Sequence, residues 1–592
     1  MNKFISSFEF NGNTFFYYDL KKIIDSDLSL RRLPASLKLL LEANIRNEQE
    51  ENLNYILDAF IKRNSFRRIS FYPNRAIMDD YYGVPVLVDL SSLNEDRQNL
   101  ENKDFVKPKI PLDLVVKDSV DDNQDKSMQR NKQRHHFIKW CENRYENLTV
   151  VPPGFGIYHQ VNLEHLVTML DVKASEEKIF LCPESVVGTD FNATMTNSLG
   201  ILAWKLNTLE TQGVILEPKV KMHIPKVIGV EVVGSLAQGV SILDATLNLS
   251  TLLEKDDLSD TIIEFFGPGI KNISVEDRAY LSQIVVECGA ACGYFCIDNN
   301  TIDFIEKTRG VDATLIKTYF QKQGLFNNSI DIWDFDYDKK FIFELSKIKP
   351  LVSGPKSEEQ RVTVEHVPSK LQSFKIGNFV KDNDIVLANI VSCTLTSNPT
   401  LLIQAGLLAK KACMLNLTIN KNIKRSLTLG SLVIKNYLEE LDLLKYFEQL
   451  GFKIVDINSL DLASDTHELR ESVILDIQKF NLNVSSVNSG VDLESLSRDQ
   501  VRSNWLMSPA LVVAYCLKGN MNFSVTKEPI NTDIFLSDLW PSISEVNDYL
   551  AKISSQMYEN VYKDIFKGDE YWQGIECKES ETYPWNDESS YI

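Results

Sequence analysis

The sequence predicts an α/β protein of three domains, each a small sheet flanked by helices. Three observations predict it. Short apolar runs of strand character, GVPVLVDL (83–90), IPKVIGVEVVG (224–234) and DIVLANIVSC (384–393), recur along the chain. Stretches with apolar residues at helical spacing, LPASLKLLLEANIRN (33–47) and NPTLLIQAGLLAKKA (398–412), alternate with them. A chain of 592 residues, 44% apolar and 10% aromatic, can also bury several cores, about three to four at ordinary domain size.

Each element has a local reason. In VVPPGFGIYHQ (150–160), Pro152, Pro153, Gly154 and Gly156 make turn chemistry around His159. KDSVDDNQDKSMQRNKQR (117–134) is charged and nearly free of large apolar residues, which predicts a solvated loop leading into a helix with His135-His136 on its exposed face. A boundary falls near Gly234, where a strand leaves its domain, and another in KIKPLVSGPKSEEQ (347–360), where Pro and Gly cluster. The expected segments are 1–234, 235–353 and 354–562, followed by a polar linker-like remnant over 563–592. After residue 384, strand, tight loop and helix start follow within a dozen or so residues; Asn398 can cap and Pro399 can occupy the first turn. Ligands of open α/β sheets sit at such corners, outside the carboxyl ends of the strands. Cys393 stands there, and Asn398 offers a place for a small anion.

Composition narrows the partners. Lys plus Arg number 63 against 82 Asp plus Glu, a net charge of −19, which disfavours nucleic acid because phosphate neutralisation needs a basic surface. The N-terminus lacks a continuous apolar stretch with a small-residue cleavage site, and no run of about 18 apolar residues predicts a membrane span. Nine scattered cysteines without a CxxC fit a reducing compartment, so the expected location is the cytoplasm, with an organelle as the alternative. Cys288, Cys292 and Cys296 are spaced four apart, but Gly289 and Gly293 argue against a helix that would stack their thiols.

Read whole, the chain resembles the aconitase superfamily, in particular its cytosolic aconitase and iron regulatory protein branch. The strings that carry the resemblance include PPGFGIYHQVNLEHL, VVGTDFNATM, IEFFGPGIKNISVEDRA, SGPK, SCTLTSNP and IFLSDLWP, all in family order. It implies three α/β/α domains around a cleft and a fourth, swivelling domain that is absent, since the family's FWNSKSTYI-like linker is matched by PWNDESSYI at the end of the sequence. It also implies that Cys393 is the first ligand of a [4Fe–4S] cluster, while the family's later CxxC is matched by Ser459 and Leu462. The family's DHS is matched by Lys117-Asp118-Ser119. Its GTDSHT is matched by a segment keeping Asp190 but losing Ser and His, and its substrate arginines face SGVDLESLSRD (489–499). Retained family positions are Asp80, His159, Asp190 and Glu264, expected to form a satisfied core network.

These departures lead to the expectation of a catalytically inactive scaffold without a cluster or other cofactor. Its expected partner is a protein on the face the fourth domain would cover. RNA binding, through Lys356, Asn398, Lys424 and Arg425, is the alternative; residual hydro-lyase activity with a separate small subunit is the second.

Overall fold

A computed structural model describes residues 2–63, 67–99, 105–116, 125–175, 178–327, 335–357, 360–371, 374–391, 398–455, 469–490 and 500–585. Its contacts divide the chain into two compact units. The first comprises Met1–Gly234, Leu252–Glu344 and Tyr562–Ile592; the second comprises Ser235–Thr251 and Leu345–Val561. The α/β class holds in both.

Among the described residues of the first unit, a five-stranded parallel sheet runs in the order Leu202–Lys205, Ser185–Gly188, Arg75–Asp79, Leu112–Val115, Leu148–Val151. Its strands read as nearly unbroken apolar runs because a parallel sheet is covered on both faces; Ala76, Ile77, Met78, Leu112, Leu114, Val150 and Val186 are fully buried. A second parallel sheet orders Cys292–Phe295, Thr261–Phe266, Lys226–Val233 and Lys339–Glu344. The second unit carries a seven-stranded sheet in which Ile385–Val391 lies between Ser485–Asn488 and Lys424–Thr428. The Pro399–Met414 helix follows that central strand, and the Asn398 side chain accepts from the Thr400 N–H at 2.7 Å, so the cap expected there forms.

Three local expectations are corrected. GVPVLVDL is not a strand but part of the Asp80–Asn99 helix, with Pro85 inside it. A short apolar run does not distinguish strand from helix. Here Val84, Leu87 and Leu90 are buried at helical spacing, and the Asp79 carboxylate accepts from the Tyr82 N–H at 2.9 Å to start the turn. His135 is not exposed but fully buried, edge-on to Trp572 at 5.8 Å, and His136 Nδ1 lies 2.9 Å from the Tyr583 hydroxyl. The segment up to residue 585 is therefore no free polar tail: aromatic residues at 571–585 supply the packing that a charge count conceals. Cys288 ends the Val275–Glu287 helix and Cys292 opens a strand, so the three spaced thiols share no helix face.

Candidate active site at the carboxyl edge of the five-stranded sheet

The connectivity of this sheet decides where its polar residues fall. The Arg75–Asp79 strand runs straight into Asp80; its neighbour Ser185–Gly188 runs into Thr189-Asp190; and Leu148–Val151 runs into the Pro-Gly turn that delivers His159. Asp79, Asp80, His159 and Asp190 thus leave the carboxyl ends of strands of one parallel sheet, where open α/β folds hold their ligands. Arg134 ion-pairs with Asp80 at 3.2 Å, and Asp190 accepts from the Asn192 N–H at 3.0 Å. His159 is buried, and so is Tyr158 beside it. Burial pushes the Tyr158 phenol well above its ordinary range, and the charges of Asp190 and Asp79 push it further, which ties these three side chains to one locality.

Glu264 belongs elsewhere. It lies on the Thr261–Phe266 strand of the four-stranded sheet, and its carboxylate accepts from the N–H groups of Ala35 (3.1 Å) and Ser36 (2.9 Å), from Ser36 Oγ (2.6 Å) and from the Tyr337 hydroxyl (2.9 Å). The Ala35–Asn47 helix has no side-chain cap of its own, so Glu264 supplies one from a distant strand. Glu264→Ala is expected to lose ~2–4 kcal/mol of stability, because several buried donors are left without an acceptor. Urea unfolding measures this; an unchanged midpoint would show that the carboxylate does not hold the helix.

Sequence reading missed the polar groups at the opposite, amino edge of this sheet. Arg75 donates to Glu184 and Asp113, both at 2.6 Å, and to Asn162 at 2.9 Å, and all four side chains are buried. Five residues past His159 in the chain, Glu164 accepts from the Tyr562 hydroxyl at 2.6 Å and from Gln160 at 2.9 Å. Burial nevertheless pushes its carboxyl up from 4.5 to about 7. Between these values the unfolded chain has released the proton that the folded chain keeps, so stability falls as pH rises through the window. The full cost, on the order of 3 kcal/mol, is reached above about pH 7. Glu164→Gln is expected to remove that slope. Parallel wild-type and variant profiles of stability between pH 4.5 and 7 would count against a neutral buried carboxyl.

The residues expected to touch an anion or RNA lie in the second unit. Asn398 is occupied as a helix cap. Arg425 donates to the carbonyls of Gly451 and Asn420, Lys424 is half-exposed, and Lys356 is exposed. Three strands separate the strand preceding Lys356 from the one that begins at Lys424, roughly 19 Å at ordinary strand spacing, so these side chains are not gathered into one groove. Cys393, Ser459, Leu462, Lys117-Asp118-Ser119 and the 491–499 part of the arginine segment lie outside the described residues.

A parallel sheet with carboxylates and an imidazole at its carboxyl edge defines an α/β protein of the kind that binds small ligands there. The comparisons give the family. The model of the aconitase family (aconitate hydratase) matches residues 54–519, and the chain belongs to that family. Aconitate hydratase A of Legionella pneumophila is 34% identical over 625 residues, covering 98% of this chain and 70% of the relative. That of Rickettsia conorii is 35% identical over 633 residues, covering 100% and 71%, and that of Escherichia coli 33% over 627 residues, covering 98% and 70%.

These findings correct the expectation of an inactive scaffold, of a non-enzyme and of a chain without a cofactor: relatives aligned along its whole length are named as aconitate hydratases. The inactive reading rested on motif departures at 117–119, 191–193, 459, 462 and 489–499 and on the expectation about the fourth domain; of these positions, 191–193 and 489–490 lie among the described residues. An iron–sulfur cluster needs cysteine thiolates. Among the described residues no group of three His, Cys, Asp or Glu side chains is placed to hold a metal, and burial pushes the Cys182 and Cys516 thiols up to about 12. Cys393, the position the resemblance assigns to such a cluster, lies outside the described residues, and no reaction step is assigned to the group.

Proposed function

We propose that this chain is a hydro-lyase of the aconitate hydratase kind, adding and removing water across a carbon–carbon bond of a small polycarboxylate. The observation that carries this reading is the placement of Asp79, Asp80, His159 and Asp190 at the carboxyl edge of one parallel sheet. Eliminating water β to a carboxylate needs one group to take the carbon-bound proton and another to protonate the departing hydroxyl. An imidazole and carboxylates can hold and pass those protons, and burial keeps bulk water from competing. Arg134 offsets part of the negative charge that would otherwise repel a polycarboxylate. The names of the relatives support the same reaction.

The test is an anaerobic assay of the full chain, treated with iron and sulfide, on citrate, isocitrate and cis-aconitate. Interconversion is the expected result; no turnover on any of the three overturns the reading. Placement in the iron regulatory branch, the division at 234, 353 and 562, a cytoplasmic setting and a protein partner belong to the same proposal. RNA is disfavoured by the charge of −19. No helix among the described residues is long and apolar enough to cross a membrane. Native purification with and without ribonuclease separates the partners.

A further inference from the structure

We propose that Cys577 and Cys141 are a modification site: a thiol pair that peroxide converts to a disulfide, fastening the segment around residue 577 to the Asp125–Arg144 helix.

The packing of that segment lays Cys577 along the helix that carries Cys141. Cys577 Sγ lies 3.5 Å from the His136 carbonyl oxygen, on the backbone of that helix, with Cys141 five residues further on. Residues three and four apart share a helix face, so Phe137, Trp140 and Cys141 look the same way. That face is the one the segment covers: Tyr583 sits 5.0 Å from Phe137 and 5.4 Å from Trp140, and Trp140 Nε1 donates to Ser580 Oγ at 3.0 Å. Charge at Cys577 adds to the burial that raises the Cys141 thiol, and the Tyr583 phenol, pushed up to about 12 chiefly by burial, responds to both sulfurs.

Their exposures assign the order of events. Cys577 is half-exposed and Cys141 is fully buried, so peroxide meets Cys577 first. The Cys577 sulfur attacks one peroxide oxygen; an S–O bond forms, the O–O bond breaks, and the leaving oxygen departs as water with the thiol proton. The Cys141 sulfur then attacks the Cys577 sulfur; the S–S bond forms, the S–O bond breaks, and the hydroxyl leaves as a second water with the Cys141 proton. Two thiols are oxidised by two electrons and one peroxide is reduced to two waters. Burial raises both thiols, so little thiolate is present at neutral pH and the reaction is slow, a fastening rather than a rapid sensor.

The test uses the full chain, exposed to hydrogen peroxide, alkylated and digested without reductant for mass spectrometry. The expected result is loss of the free-thiol signals of Cys141 and Cys577 together, with a cross-linked peptide lighter by two hydrogens that reductant releases. Cys577→Ser, at a half-exposed position, is expected to leave Cys141 reduced. Cys577 driven to sulfenic or sulfinic acid while Cys141 stays free overturns the proposal, as does an unmodified Cys577 under peroxide that oxidises other half-exposed cysteines. A cross-link to a different cysteine overturns it as well. None of these outcomes depends on hydro-lyase activity.

Discussion

His159→Gln is expected to lower kcat/KM on cis-aconitate by about 10²–10⁴-fold, the range that a positioned proton-transfer group supplies. His159 reaches the edge of the five-stranded sheet through the turn after Leu148–Val151, and its ring is buried. Glutamine keeps much of the volume and some hydrogen bonding but cannot carry a proton between donor and acceptor. The loss should therefore appear in kcat, with thermal unfolding close to wild type. Loss of ultraviolet absorbance as cis-aconitate is hydrated reports the rate. A wild-type chain that turns over and a variant that matches it would remove His159 from proton transfer while leaving the proposed reaction in place. A variant that unfolds would instead mark the ring as part of the core.

Arg75→Met is expected to destabilise the first unit by about 3–5 kcal/mol, the cost of leaving buried charge without its partner. The guanidinium is bound by Glu184, Asp113 and Asn162, and Glu184 also accepts the N–H groups of Thr168 (2.7 Å) and Met169 (2.9 Å). The network thus ties the Arg75–Asp79 and Leu112–Val115 strands to the turn before Leu170–Ser175. Burial already raises the Asp113 carboxyl against the pull of Arg75, and without the arginine it would hold its proton more tightly still. The deficit should then shrink as pH falls toward the unfolded pKa of an aspartate, near 4. Arg75→Lys keeps the charge but loses the fork, and an intermediate deficit is expected. Denaturant midpoints at two pH values decide; a deficit independent of pH would mean that packing, not charge, is what the substitution removes.

The sequence carried the fold class because apolar β-branched runs such as DIVLANIVSC and helical spacing such as that of LPASLKLLLEANIRN are visible locally. GVPVLVDL misled because its apolar residues are continuous, and only a neighbouring Asp79 side chain shows the turn that starts the helix. His159, Asp80 and Asp190 were legible from motif strings and from the strand-to-loop transitions around them. Glu264 was legible as a polar residue but not in its role, because the N–H groups it caps lie 228 and 229 positions away in the chain. The Arg75 network escaped for the same reason: Asp113, Asn162 and Glu184 are 38, 87 and 109 positions from it. No spacing rule reaches so far.

Chain order has a consequence for biosynthesis. The first unit begins at the N-terminus, yet Tyr571, Trp572 and Tyr583, which cover His135, His136, Phe137 and Trp140, belong to the same unit and are translated hundreds of residues later. At ~5–20 residues per second, about 20–90 s separate the helix from its cover. Through that interval the nascent chain presents Phe137 and Trp140 to solvent or to a chaperone, and a ribosome that stalls before residue 571 leaves them bare.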